Sequence, residues 1–143
     1  MKKVIAFGTF DLMHPGHTSF LKQAAAHGDF LTVVVARDQN VLSAKGYIPL
    51  WDEEMRLAAV AKLPFVSKAI LGSPAGHYTL IDIISENPDV VCLGYDQWPT
   101  DEKLMTDLTL VGIIDIQIRR LLAFKPHLYK SSILRDYIET KEL

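Results

Sequence analysis

Two histidines three residues apart, His14 and His17, enclose Pro15 and Gly16. Proline fixes φ and glycine tolerates unusual backbone angles, so this pair permits a bend that lets both imidazoles converge on one point. Imidazoles aimed at a phosphate stabilise the charge that builds on its oxygens during displacement, with no covalent step on the protein. By spacing alone the pair also suits half of a metal site or plain surface decoration. The flanking residues favour the phosphate. Residues 4–7, Val-Ile-Ala-Phe, read as a short buried strand. From Thr18 onward Phe20, Leu21, Ala24 and Ala25 fall on one helical face, and Gly28 stands where a left-handed cap belongs. Gly8-Thr9-Phe10-Asp11-Leu12-Met13-His14-Pro15-Gly16-His17 is therefore a strand-to-helix turn. Such a turn presents backbone N–H groups and the positive end of a helix dipole to whatever occupies its mouth, which favours an anion.

The remaining chemistry-bearing residues fall near the ends of further predicted elements. A second β-branched strand over 30–36 ends at Arg37 and Asp38, where Asp38 reads equally as a turn former. Residues 39–50 lack periodicity and carry Gly46 and Pro49, so they read as a mobile loop; its Lys45 is by itself best read as a solvated loop lysine, although such a residue can also close over triphosphate oxygens. A helix opens with the acidic turn 51–54 and stops at Pro64. Its Arg56 can pair with Asp52 or Glu53, or reach back to a phosphate. A third strand over 66–71 precedes a helix over 79–86 with Leu80, Ile83 and Ile84 facing inward. The fourth strand, 89–93, runs into Gly94-Tyr95-Asp96-Gln97-Trp98, and Thr100 caps a helix reaching Val111. Residues 114–122 alternate as a half-exposed fifth strand, on which only one of Arg119 and Arg120 can face a site. Lys130-Ser131-Ser132 opens a last helix, where hydroxyls ordinarily cap.

Strands alternating with helices, without hairpin signals, predict an α/β, Rossmann-like fold: one five-stranded parallel sheet with helices on both faces. The length of 143 residues and 49% hydrophobic composition suit one domain over residues 1–143. A net charge of -2 with interspersed signs argues against a nucleic-acid partner. No apolar run approaches the roughly 20 residues that cross a bilayer, so no membrane partner is expected. The single Cys92, inside an apolar strand, suits a reducing cytoplasm. The dinucleotide fingerprint is missing, since only Gly8 precedes Asp11 after the first strand.

The ten residues from Gly8 to His17 closely resemble the signature of the cytidylyltransferase-like nucleotidylyltransferases, with its HxGH element at His14 to His17. The likeness continues through Ala36-Arg37-Asp38, Lys45, Ile48-Pro49, Glu53-Glu54-Met55-Arg56, Leu93-Gly94-Tyr95-Asp96-Gln97 and Lys130-Ser131-Ser132. These later blocks resemble archaeal-type FAD synthases most and glycerol-3-phosphate cytidylyltransferases next. The resemblance implies transfer of a nucleoside monophosphate from ATP or CTP to a phosphate-bearing acceptor, with release of pyrophosphate. The best match is adenylylation of FMN to FAD, assisted by Mg²⁺ on the triphosphate. It implies catalytic roles for His14, His17, Lys45 and Arg56. It implies nucleotide contacts for Gly8, Thr9, Phe10, Asp11, Gly16, Asp96, Lys130, Ser131 and Ser132, with Asp11 also able to orient a metal. Acceptor contacts are expected from Asp38, Tyr95 and Arg119 or Arg120, with Tyr95, Trp98 or Phe124 available to stack on a flavin. Dimers are common in the family, and Trp98 or Trp51 is available for an interface. The competing readings are a nucleotide-sensing module that has lost turnover and a metal-dependent hydrolase built on His14 and His17.

Overall fold

The computed structural model describes residues 1–74 and 80–122. Its frame is one sheet of five parallel strands, β1 (Lys3–Gly8), β2 (Phe30–Val35), β3 (Lys68–Leu71), β4 (Val90–Gly94) and β5 (Gln117–Leu121), in the order β3-β2-β1-β4-β5. The chain winds outward from β1 to β3, then returns to place β4 against the other side of β1. The polypeptide thus changes direction between β1 and β4. In open α/β sheets the crevice at the carboxyl ends of such a strand pair is where ligands bind.

Side chains alternate across each strand and feed two cores. Val4, Ala6, Leu31, Val33, Val35, Val90 and Cys92 face one side, with Leu21 and Ala24 of α1 (Pro15–Ala25) and Val60 of α3 (Glu53–Ala61). Ile5, Val34, Val91 and Leu93 face the other, with Ile83 of α4 (Leu80–Glu86) and Leu104 and Leu108 of α5 (Asp101–Leu110). Period-2 alternation inside strands buried on both faces explains why they read as continuous apolar runs. Asp52 caps α3 through Met55 N–H and Thr100 caps α5 through Lys103 N–H, each side-chain oxygen satisfying one orphan donor of the first turn.

Several expectations need correction. Gly28 is not a left-handed cap: α1 ends at Ala26 with φ -68. A Cβ on Gly28 would stand 2.6 Å from Val4 Cγ2 and 2.7 Å from the Lys2 carbonyl oxygen, so glycine is needed for close approach to β1. The first part of the expected mobile loop is a helix, α2 (Asp38–Lys45), closed by Gly46 at φ +79. Only Asn40 and Val41 are buried along it, which leaves too little apolar periodicity to announce a helix. On α4, Ile84 is exposed, and Asp82 lies inward instead, its Oδ2 accepting the Ser73 N–H. The expected helix beginning at Lys130-Ser131-Ser132 lies outside the described residues. No helix among the described residues is long and apolar enough to cross a membrane.

Candidate active site

A cavity of about 510 Å³ opens where β1 and β4 end, with Gly8, Gly72 and Gly94 among its lining residues. Gly8 is required by packing. A Cβ there would come within 2.6 Å of the Phe10 ring. Phe10 is buried with φ +57, and Leu12 follows at φ +53. Two non-glycine residues in the left-handed region within three positions store backbone strain, which surrounding contacts must over-determine. Phe10 has such contacts: its ring meets His17 edge-on at 5.5 Å and Phe20 at 6.3 Å.

The two histidines do converge, through a helix start instead of a loop bend. His14 is the N-cap of α1 and Pro15 occupies its first turn, where proline loses no hydrogen bond. The Nδ1 atom of His14 accepts the Gly16 N–H at 3.0 Å, and the His14 carbonyl accepts the His17 N–H at 3.0 Å. These first-turn N–H groups are therefore used inside the turn, and Gly16 offers its own N–H to His14. With Nδ1 accepting, neutral His14 carries its proton on Nε2. Its ring stacks on that of His17, centroids 3.7 Å apart. Burial, reinforced by the neighbouring positive charges of His14 and Lys45, lowers the pKa of His17 to about 3, and burial lowers that of His14. His17 is therefore neutral at physiological pH. His17 lines the cavity between the strand ends, while His14 lines a second, more open cavity of about 780 Å³ beside α1 with Met13, Thr18 and Lys22.

Lys45 also lines the first cavity, and its Nζ lies 3.4 Å from Thr9 Oγ1. Being in the last turn of α2, it is carried by an element whose Gly46 N–H closes on the Leu42 carbonyl at 2.9 Å.

Arg56 has a different place from the phosphate contact expected of it. Its side chain has no exposure. Nε donates to Trp51 O at 3.0 Å, Nη1 to Thr9 O and Ala36 O at 2.8 and 2.7 Å, and Nη2 to Asp38 Oδ1 at 2.7 Å. The guanidinium thus ties the Gly8–His17 turn, the end of β2 and the start of α3 together from beneath. Asp38, expected to touch an acceptor, completes this knot: its N–H donates to Glu53 Oε1 while its Oδ2 accepts the Glu53 N–H, so the first residues of α2 and α3 cap one another. Asp11 is buried, and its two oxygens accept the N–H groups of Leu50 and Trp51 at 2.9 Å each. It pins the 46–52 connection to the turn. Among the described residues no cluster of three or more His, Cys, Asp and Glu side chains is suited to a metal ion.

The opposite wall of the cavity comes from the segment after β4, with Asp96, Gln97 and Trp98 lining it. The paired-strand register settles which of the two arginines faces this wall. Arg119 stands beside Cys92, on the α1 side, where its guanidinium donates to Ile118 O and Gln117 Oε1. Arg120 stands beside Leu93, on the α5 side, and holds the carbonyls of Gly94, Gln97 and Pro99 together with the Asp101 carboxylate. Arg120 thus acts on the wall and not on an acceptor. Tyr95 is half exposed and is absent from the cavity lining, whereas Trp98, 57% exposed, lines it. Trp51 is only partly exposed. Asn40 and Gln97 escaped the sequence reading as site residues. Asn40 is a buried polar side chain in the cavity wall, its Nδ2 donating to Ser73 O. An asparagine on a short polar helix carries no signal of burial. Lys130, Ser131, Ser132 and Phe124 lie outside the described residues.

The sequence matches the cytidylyltransferase-like family over residues 5–137. An FAD synthase of Ferroglobus placidus is 45% identical over 113 residues, covering 79% of this chain and 72% of that protein. An FAD synthase of Thermoplasma volcanium is 38% identical over 138 residues, covering 96% of this chain and 94% of that protein. A crystal structure described as the lipopolysaccharide core biosynthesis protein of Thermoplasma volcanium superposes with a TM-score of 0.81 at 38% identity, over 87% of this chain and 99% of that one. With the motif at the strand crossover, the sheet order and a family match across nearly its whole length, the chain belongs to the cytidylyltransferase-like family.

Proposed function

We propose that this protein is an FAD synthase, transferring the adenylyl group of ATP to the phosphate of FMN. A phosphate oxygen of FMN attacks the α-phosphorus, a new P–O–P linkage forms, and the α–β anhydride bond breaks to release pyrophosphate. The attacking oxygen is already anionic, so the step needs no general base. Charge accumulates on the α-phosphoryl oxygens, and His14 and His17 are proposed to donate hydrogen bonds there. The single observation that carries this reading is His17, stacked on His14 and sharing the cavity at the carboxyl end of β1 with Lys45.

Lys45 and Thr9 are proposed to meet the triphosphate, and Asp96 the nucleoside. Lys130, Ser131 and Ser132 are proposed from the family resemblance to hold the outer phosphates. Arg56, Asp38 and Asp11 are assigned to positioning the turn. The Mg²⁺ ion arrives on the triphosphate as part of the substrate, in keeping with its preference for phosphate oxygens and water over all-protein cages. Phe20, Tyr47 and Trp98 give the cavity aromatic walls suited to ring-bearing substrates. The FAD synthase relatives, which match most of the chain, favour FMN over a small phospho-alcohol as acceptor. A single domain acting in the cytoplasm as a homodimer completes the proposal, with light scattering as the check on the dimer.

The test is a pyrophosphate-release assay with Mg²⁺, each of ATP and CTP, and FMN, glycerol 3-phosphate, phosphocholine or phosphoethanolamine. The expected result is turnover with ATP and FMN. Turnover only with CTP and glycerol 3-phosphate would replace the flavin assignment and keep nucleotidylyl transfer, and silence across the panel would favour a nucleotide-sensing module.

A further inference from the structure

Three backbone carbonyls from the end of β4 and the connection to α5, those of Gly94, Gln97 and Pro99, turn toward one point at the edge of the sheet. Carbonyl dipoles gathered this closely repel one another unless a cation sits among them. The cation is Arg120 of the edge strand β5. Its Nη1 donates to Gly94 O at 2.8 Å and Gln97 O at 2.7 Å, its Nη2 donates to Pro99 O, and its Nε donates to Asp101 Oδ1 at 2.7 Å. From the other side the segment is stitched to β1: Gln97 Nε2 donates to Phe7 O at 2.8 Å, and its Oε1 accepts the Gly94 N–H at 3.0 Å. The stretch that presents Asp96 and Trp98 to the cavity is thus suspended between the two strands flanking β4. One arginine and one glutamine hold it.

We infer that Arg120 is a positioning residue for the nucleotide, setting the wall on which the nucleoside packs without touching a substrate itself. This rests on the nucleotidylyltransferase reading, which by itself asks nothing of Arg120. The fork geometry matters. A guanidinium presents donors in one plane to several acceptors at once, whereas a lysine ammonium is a compact point charge that cannot span three carbonyls and a carboxylate. Replacing Arg120 with lysine keeps the charge and loses the span, so the wall relaxes and nucleotide binding weakens. Arg120 bonds Gly94, Gln97, Pro99 and Asp101 and neither histidine, so the chemical step is spared.

The experiment compares the full-length protein with Arg120→Lys and Arg120→Ala, measuring KM for ATP, kcat, melting temperature and ATP affinity by calorimetry. Arg120→Lys is expected to raise KM and Kd for ATP about tenfold with kcat within about threefold, the pattern of lost ground-state binding. Millimolar guanidinium is expected to restore most of the ATP affinity of Arg120→Ala, a response that general destabilisation does not give. An ATP affinity within about twofold of wild type in the folded lysine variant overturns the inference. A kcat loss as large as the KM change, without guanidinium rescue, also overturns it. Should Arg120→Ala fail to fold, the lysine variant decides alone. If wild type releases no pyrophosphate from any substrate pair, the enzymatic reading fails, and the calorimetric comparison still decides the role of Arg120.

Discussion

The imidazoles of His14 and His17 lie face to face, 3.7 Å between centroids and 24° between planes. Residues three apart at a helix start share a face, and the His14 N-cap contact with Gly16 N–H holds the first ring in place. The second is braced edge-on by Phe10. This rigidity suits hydrogen bonds that strengthen as charge builds in the transition state. His17→Ala is expected to lower kcat at least about a hundredfold while changing ATP Kd far less, measured by steady-state kinetics and calorimetry. Equal losses in both would remove His17 from the chemical step.

The depressed pKa of His17 makes stability depend on pH in a definite direction. Its folded value of about 3 lies below the 6.5 of a free histidine, so below pH 6.5 the unfolded chain binds the extra proton more readily. This contribution is fully present above pH 6.5 and is lost as pH falls from there toward 3. Between pH 7.5 and 5 the loss is about 2 kcal/mol. Urea unfolding at the two pH values should show it, and His17→Asn should flatten the difference by that amount. A variant with the same pH slope as wild type would contradict the assignment.

Lys45 ends α2 with its ammonium near Thr9 Oγ1 and is exposed. Removing it should leave the fold intact and weaken the triphosphate interaction. Lys45→Ala is expected to raise KM for ATP about tenfold with an unchanged melting temperature. Unaltered ATP affinity and kcat would reduce it to a solvated lysine.

Arg56 offers the opposite pattern. Its guanidinium is fully buried on three carbonyls and the Asp38 carboxylate, so Arg56→Met strands several acceptors and a carboxylate. Destabilisation of about 3 kcal/mol is expected in chemical denaturation. The ATP KM of the protein that remains folded should move little. A large rise in KM without loss of stability would return Arg56 to the phosphate contact.

The five strands, the alternation of strands with helices apart from α2, and the strand-to-helix turn over residues 8–17 were legible in the chain itself. Runs such as residues 30–35, with Val33, Val34 and Val35 all buried, announce a strand covered on both faces. The caps at Asp52 and Thr100 are local, reaching three residues along the chain. Tertiary structure decided what the charged residues do. Arg56, Asp38, Asp11 and Arg120 all stood out as charges near the ends of predicted elements, but decisive partners lie far away in sequence: Thr9 is 47 residues from Arg56, and Leu50 is 39 from Asp11. A sequence states that a guanidinium or carboxylate is present. Whether it meets a ligand or the backbone beneath the ligand depends on which distant carbonyls and N–H groups the fold leaves without a partner, and a buried polar group must satisfy those first. Helix α2 was hidden for the same reason: it is held through the reciprocal contacts of Asp38 with Glu53, not by a periodic apolar face of its own.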